Sequence, residues 1–470
     1  MQRYQALTRN DIEKIHETSL KIMNEVGVVF SYAPARDILA KGGAKVEGKK
    51  VCFPRDVVER ALKTVPPSFV LHGRNPAKNV EINTKSTAFV GPYGAPFITD
   101  IDKGRRYADL EDFNNLAKLC QMMDNIDVQS HIYCEACDID ASYRHMEMVH
   151  SAIKYNEKPI MGGVLGYEAS KQSIELAAIA HGGVEAIKGK PIMASIPCTL
   201  TPLSYDDKMA GAIIAYAEYG QAQLVNSLCI AGASTPVTIA GAIALQNAEI
   251  LAGIVLAQLV NPGTPIVYSA SGSNADMRTM GLAIGSPEDS LFSLVNGQLA
   301  KFYNIPCRIS GALSDSKCAD AQAGYESMMN LLMAQMAGGN FILHAAGILE
   351  SYNCVSYEKL MIDDEIIGMV KQIGKGIKVN DDTLAYNAIK EVGPQGAFIA
   401  HEHTFENFRE AFYMPVLSDR NNYVAWKDQG ALTAEQRANQ RWKKMLSEYV
   451  EPKLPADVER DMRKYIENNM

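Results

Sequence analysis

Residues 224–269 read LVNSLCIAGASTPVTIAGAIALQNAEILAGIVLAQLVNPGTPIVYS. They hold one repeat of strand, helix and strand. Leu224–Leu228 and Ile266–Ser269 are apolar runs of strand length. Between them Thr235 stands before Pro236, a capping side chain ahead of a first-turn proline. The stretch from Val237 to Val260 is the most apolar in the chain, but Gln246, Asn247, Glu249 and Gln258 interrupt it. Those four groups would be costly in lipid. The stretch is therefore read as a helix buried in a core or an interface, and no membrane partner is expected.

The same alternation extends in both directions. Ala88–Val90, Val128–Tyr133, Pro159–Gly162, Ile192–Ile196, Arg308–Gly311 and Phe341–Ala345 bring the strand candidates to eight. Helix-start signals lie between most of them: Asp109 with Asp112, Ser204 ahead of Asp206 and Asp207, and Ser286 before Pro287. Eight strands separated by helices is the arithmetic of an α/β fold of the (β/α)8 TIM-barrel type. A doubly wound sheet competes, although no GxGxxG follows the first strand. Residues 1–85 read as an N-terminal α+β extension, with Thr8 and Asp11 opening a helix, Gly27 ending it, and Pro54 opening a second. The barrel is expected over 86–414 and a C-terminal helical tail over 415–470. Thr433 and Gln436 make a capping box in that tail, and Trp442, Met445, Leu446 and Tyr449 follow at helical spacing, to pack on the barrel or on a second subunit.

With 470 residues, 47% hydrophobic and 21% charged, the composition is that of an ordinary soluble protein. A net charge of -8 with no basic tract does not suggest a nucleic-acid partner, and none is expected. The nine cysteines and the polar start MQRYQALTRNDIEK point to free thiols in the cytoplasm. Cys134-x-x-Cys137 lacks the second pair that a zinc or redox site wants.

In a barrel, chemistry belongs at the C-terminal strand ends. Those positions hold Tyr93, Tyr133, Glu135, Gly163, Cys198, Thr199, Asn226, Ser227, Ser269, Ser271, Ser310 and His344. Only Glu135 and His344 are candidate acids or bases, fewer than a hydrolase or isomerase needs. Structural readings compete: Glu135 paired with Arg144, His344 hydrogen-bonded in the core, and small residues filling a tapering barrel. His401-Glu402-His403 has two potential metal ligands and no placed third. Asp363-Asp364-Glu365 reads as a helix start or a solvated face.

Seven strings resemble the trimethylamine methyltransferase superfamily, in its members that lack pyrrolysine. They are HGRNP at 72–76, GPYGAPFITDIDKGRRYADLEDF at 91–113, PCTLTPLSY at 197–205, GASTPVTIAGAIALQNAE at 232–249, SDSKCADAQAGYES at 314–327, GILESYNCVSYEKLMIDDEIIGM at 347–369 and GPQGAFIAHEHTFENFRE at 393–410. The resemblance implies a (β/α)8 barrel that moves a methyl group from a quaternary amine to Co(I) of a cobalamin carried by a partner corrinoid protein. It implies glycine betaine as the first substrate, ahead of proline betaine, carnitine or γ-butyrobetaine, in methanogenesis or acetogenesis. The pyrrolysine position of the founding members falls near Lys317.

A quaternary ammonium already carries a neutral leaving group, so its demethylation needs no proton. A site poor in acids and bases suits it, and the remaining work is aiming the methyl and excluding water. The cation calls for aromatic faces at about 0.5 to 2 kcal/mol each. With 21 Tyr and two Trp in the chain, Tyr93, Tyr133, Tyr205 and Tyr352 are the candidates, beside Glu135 and Asn226. His344 is the first choice to hold the substrate carboxylate, with Arg308, Lys317 and Arg278 as further anchors. The rim segments Pro92–Arg105, Ser271–Met280 and Ser314–Ala323 would receive the corrinoid protein. No metal or nucleotide is expected on this chain itself, and a homo-oligomer is. The competing classes are a metal-dependent barrel hydrolase using His401 and His403, and a non-catalytic betaine-binding barrel.

Overall fold

The computed structural model describes residues 4–470. Seven strands form one parallel sheet in the order Ala88–Phe89, Phe341–Leu343, Cys307–Ser310, Ile266–Ala275, Ala222–Ala231, Met193–Ser195 and Ile160–Met161. The sheet curls until its two edges approach one segment. Val90 bridges to Val128 on one side, and Gln129 to Ile160 on the other, both parallel. The expected strand Val128–Tyr133 is thus reduced to these two bridges. The Ser130 hydroxyl accepts from Ile132 N at 3.1 Å and turns the chain out of the ladder.

Eight helices alternate with these segments, from Leu110–Met122 to Tyr357–Lys375. The longest, Ile239–Val260, is the apolar run that opened the reading, and it lies in the core. Each of its interrupting polar groups makes a connection. Gln246 donates to Ser227 O at 2.9 Å and Ser271 O at 2.6 Å, tying two neighbouring strands together. Asn247 bonds Ser19 of the extension and Tyr303, and Gln258 donates to Thr264 O. Buried polar groups persist where they are hydrogen-bonded, which explains an apolar helix carrying four of them.

Helix starts match the expectation in part. Asp109 accepts from Asp112 N, and Thr8–Asp11 and Thr433–Gln436 form capping boxes. Asp206, not Ser204, caps Asp207–Glu218, because Ser204–Tyr205 is drawn into a small sheet. Thr235 bridges back to Ala231 and the helix starts only at Ile239, so Thr235 is no cap. Ser286 stands at the cap position, but its hydroxyl is spent on Asn274 Oδ1 at 2.9 Å.

The N-terminal strand Val28–Phe30 pairs with Lys50–Cys52 and, in parallel, with Ser204–Tyr205 in the loop after Met193–Ser195, which stitches the N-terminal segment to the main sheet. A second small sheet joins Cys354–Ser356 to Phe97–Thr99, flanked by Ile348–Leu349 and Arg106–Tyr107. It ties the loop after the first strand to the loop after the last. The tail helix Ala434–Glu448 packs on Tyr357–Lys375, where Trp442 stacks on Tyr357 at 4.6 Å and donates to Glu358. Asp363, Asp364 and Glu365 are neither a helix start nor a solvated face. They sit buried inside Tyr357–Lys375, with Asp363 2.6 Å from the buried Lys359 ammonium.

Candidate active site

Arg308 and His344 come from adjacent strands and meet at the strand ends. Arg308 is 1% exposed, and its guanidinium donates to the Ser271 hydroxyl, to Ala270 O at 3.4 Å, and to His344 Nδ1 at 3.0 Å. A guanidinium can only donate, so His344 Nδ1 carries the lone pair. The imidazole proton is then on Nε2, which donates to Tyr93 O at 3.1 Å. Burial first, and the neighbouring Arg308 second, hold the imidazole well below the ordinary histidine range. It stays neutral. His344 has φ 58°, the left-handed turn that ends its strand and swings the ring over the sheet.

Tyrosines stand around this pair. Tyr93 meets His344 edge to face at 6.0 Å and His131 at 5.6 Å, and Tyr352 lies 4.9 Å from His344. Burial raises both phenols above their ordinary range, although part of each residue stays accessible. Tyr352 is the last of three consecutive left-handed residues, after Glu350 and Ser351. That turn is held by Glu350 N to Ser316 O, by Ser351 N to Ser314 O, and by Arg105 on Glu350 at 2.8 Å. Backbone strain of this kind persists only where the surroundings over-determine it.

Across the strand ends Asn226 donates to Cys198 Sγ at 3.1 Å and accepts from Ser269 Oγ at 2.9 Å. Behind Arg308 lies a group that sequence reasoning passed over. Asp289 is 3% exposed, its Oδ2 has no partner, and burial pushes its pKa up to about 8 against the pull of Arg308. Its one signal in the sequence is an acid in the first turn after a strand, indistinguishable there from a helix-dipole partner. The hydrogen-bond partners of the buried guanidinium are thus a hydroxyl, a carbonyl and an imidazole, and its Nε has none.

The other expected residues are elsewhere. Tyr133 points under the helices, its hydroxyl on Gln129 and its ring against Phe113. Tyr205 is buried against Phe30, stacked at 5.0 Å. Glu135 pairs with Arg144 at 3.3 Å, and both line a cavity of about 570 Å³ with His145, Lys208 and His131, the ring that meets Tyr93. Lys317 is exposed, with its ammonium on Asp315 O, and Arg278 is exposed beside Asp276. His401 caps the helix Glu402–Ala411 through its own Nδ1 and bonds Glu391. Among the described residues no three His, Cys, Asp or Glu are grouped to hold a metal ion, and the nine cysteines are free.

The family model of trimethylamine methyltransferase (MTTB) matches residues 1–470. The chain belongs to the trimethylamine methyltransferase family. Among its relatives in that family, a glycine betaine methyltransferase of Desulfitobacterium hafniense (strain Y51) is 45% identical over 464 residues, covering 99% of this chain and 97% of the relative. A proline betaine:corrinoid methyltransferase of Eubacterium limosum is 30% identical, over 98% of this chain and 96% of that one. A trimethylamine methyltransferase of Desulfitobacterium hafniense (strain DSM 10664 / DCB-2) is also 30% identical, over 97% and 92%. The crystal structure of the Methanosarcina barkeri monomethylamine methyltransferase superposes with a TM-score of 0.55 at 12% identity, over 99% of this chain and 89% of that one, which speaks for the fold alone. As a member of the trimethylamine methyltransferase family the chain is an enzyme, a methyltransferase.

Proposed function

We propose that this methyltransferase takes one methyl group from a carboxylate-bearing quaternary amine, glycine betaine first, and passes it to Co(I) of a cobalamin held by a corrinoid protein in the cytoplasm. The observation that carries the reading is the buried Arg308 guanidinium, hydrogen-bonded to a hydroxyl, a carbonyl and His344 and beside the rings of Tyr93 and Tyr352. A carboxylate bound at Arg308 would restore charge balance, and Tyr93 and Tyr352 would then flank the ammonium. The 45% relative named for glycine betaine supports that choice among the betaines.

In this reading the two bridges at residues 128 and 129 close the sheet into a full (β/α)8 barrel, with the site at its C-terminal mouth. The corrinoid supplies a strongly nucleophilic Co(I) as methyl acceptor. The chain's own residues bind and orient the donor. As the methyl leaves, the bonding electrons stay on nitrogen and a neutral tertiary amine results, so no residue moves a proton. Tyrosine faces that held the cation too tightly would stabilise the ground state, so much of the affinity should come from the carboxylate end.

The test is to mix the protein with free cob(I)alamin and each quaternary amine in turn. Appearance of the methylcobalamin spectrum with glycine betaine is the expected result. Tight betaine binding with no methylation would instead favour a non-catalytic binding barrel.

A further inference from the structure

The cavity of about 570 Å³ beside Tyr93 has no role in the reading above. Its volume falls within the range of about 300–1,000 Å³ in which small-molecule sites are built. Leu165, Glu168 and Lys208 stand exposed at its rim, and His131, His145 and Met148 are buried in its floor. It adjoins the Arg308 site. Gly94 N donates to Ile132 O at 2.8 Å and Glu135 N to Ala95 O at 2.9 Å, so the loop that carries Tyr93 runs against the loop that carries His131. Tyr93 then meets His131 of the cavity at 5.6 Å and His344 of the site at 6.0 Å. No hydrogen bond among the described residues holds the His131 ring, whose Nδ1 is buried without a partner. Gly163 leaves that ring room, since a Cβ there would stand 3.6 Å from its Nε2.

The charges lining the cavity balance. Glu135 and Arg144 pair with each other, while Glu168 and Lys208 make no ion pair among the described residues. The latter two come from different helices, Tyr167–Ile179 and Asp207–Glu218. The histidines add no charge, because burial lowers both imidazoles, His131 to about 3. His145 is fixed instead by Gln172, 2.9 Å from its Nε2. A bound anion would leave Glu168 uncompensated, and a bound cation would leave Lys208 so. A molecule with one charge of each sign meets both.

We infer that this cavity is a second subsite for a small zwitterion of the N-methylated amino acid class, an antechamber in which the methyl donor or its demethylated product stops beside the Arg308 site. Lys208 takes the carboxylate and Glu168 the ammonium end. The class of the zwitterion rests on the proposed function. A cobalamin carrier seated over the strand ends would block the direct approach to Arg308, and a lateral subsite lets small molecules exchange past the His131 and Tyr93 rings.

Equilibrium dialysis of the full chain against labelled glycine betaine and, separately, labelled N,N-dimethylglycine tests this. The wild type is expected to take up two molecules per chain of at least one of them, and the one that reaches two is the one that waits in the cavity. Lys208→Glu, an exposed position, and Ala169→Trp, which fills the cavity, should each bring the count from two to one with the circular dichroism spectrum unchanged. Arg308→Lys should weaken the other equivalent and leave this one. If Arg308→Lys weakens neither, carboxylate binding at Arg308 falls while the antechamber stands. The inference is overturned if no equivalent is lost in both Lys208→Glu and Ala169→Trp, or if acetate or tetramethylammonium occupies the cavity as well as the zwitterion does.

Discussion

Arg308 Nη2 lies 3.0 Å from His344 Nδ1, and that one contact sets the chemistry of both residues. It assigns the imidazole proton to Nε2 and keeps the ring neutral beside a permanent cation. The pair thus presents positive charge at the strand ends without any group able to act as a base at neutral pH.

Replacing Arg308 should therefore weaken a carboxylate-bearing substrate far more than one without a carboxylate. Arg308→Lys loses the planar fork that serves Ser271 and His344 together. The KM for glycine betaine should rise roughly 10- to 100-fold, the range that follows from about 1.5–3 kcal/mol for a hydrogen bond to a charged group. Steady-state kinetics against glycine betaine and tetramethylammonium would check it, and an equal effect on both would count against carboxylate binding at Arg308.

Asp289 predicts a pH dependence with a definite sign. Its folded pKa of about 8 lies above the ordinary 3.8, so the folded state binds more protons than the unfolded one between those values. The stabilisation is fully present below pH 3.8 and is lost as pH rises through about 8. The Asp289→Asn variant should lack this term and gain on the wild type as pH increases. Urea midpoints at pH 5.5 and 8.5 measure the difference.

The buried Lys359–Asp363 pair makes a sharper stability prediction. Lys359 Nζ bonds Ala312 O, Ser327 Oγ and Asp363 Oδ2, and Asp363 also holds Gly347 N at 2.7 Å. Asp363→Ala leaves a buried ammonium uncompensated and should cost roughly 3–5 kcal/mol. Replacing both by Met and Leu should cost much less. Denaturant unfolding of the single and paired variants decides.

Glu249 governs the loop after the strand Met193–Ser195. Its carboxylate accepts from Thr199 and Ser227, from Thr201 at 2.8 Å and from Leu203 N. Glu249→Ala strands several buried donors, each costing about 1–3 kcal/mol. The expected outcome is a lowered Tm together with a weaker response of Cys198, the residue just before the pinned segment, to protection by glycine betaine. Site-resolved iodoacetamide labelling by mass spectrometry reports the second effect.

The legible parts of this protein were those written in periodicity. The strand candidates beginning at 88, 159, 192, 224, 266, 308 and 341 overlap strands that begin at 88, 160, 193, 222, 266, 307 and 341, because a parallel sheet covered by helices needs apolar runs between helix caps. The segment at 128 misled, since a single serine hydroxyl breaks its ladder without altering its apolar pattern. Arg308 and His344 stood out as strand-end residues. Tyr133 did not reveal its direction, because a bend after Gln129 turns it toward Phe113. Asp289 and the bare apolar side chains of residues 376–412 were illegible for a common reason. Whether an acid has a partner, or an apolar side chain a cover, depends on neighbours distant in sequence.

The small sheet pairing Phe97–Thr99 with Cys354–Ser356 welds the loop after Ala88–Phe89 to the loop after Phe341–Leu343. Tyr93 and Tyr352, carried on the two sides of that weld, cannot shift independently. An insertion in either loop would drag the opposite tyrosine out of place unless its counterpart lengthened in step. Reshaping this enzyme for a bulkier donor is then a matter of redesigning two segments some 250 residues apart as a single part.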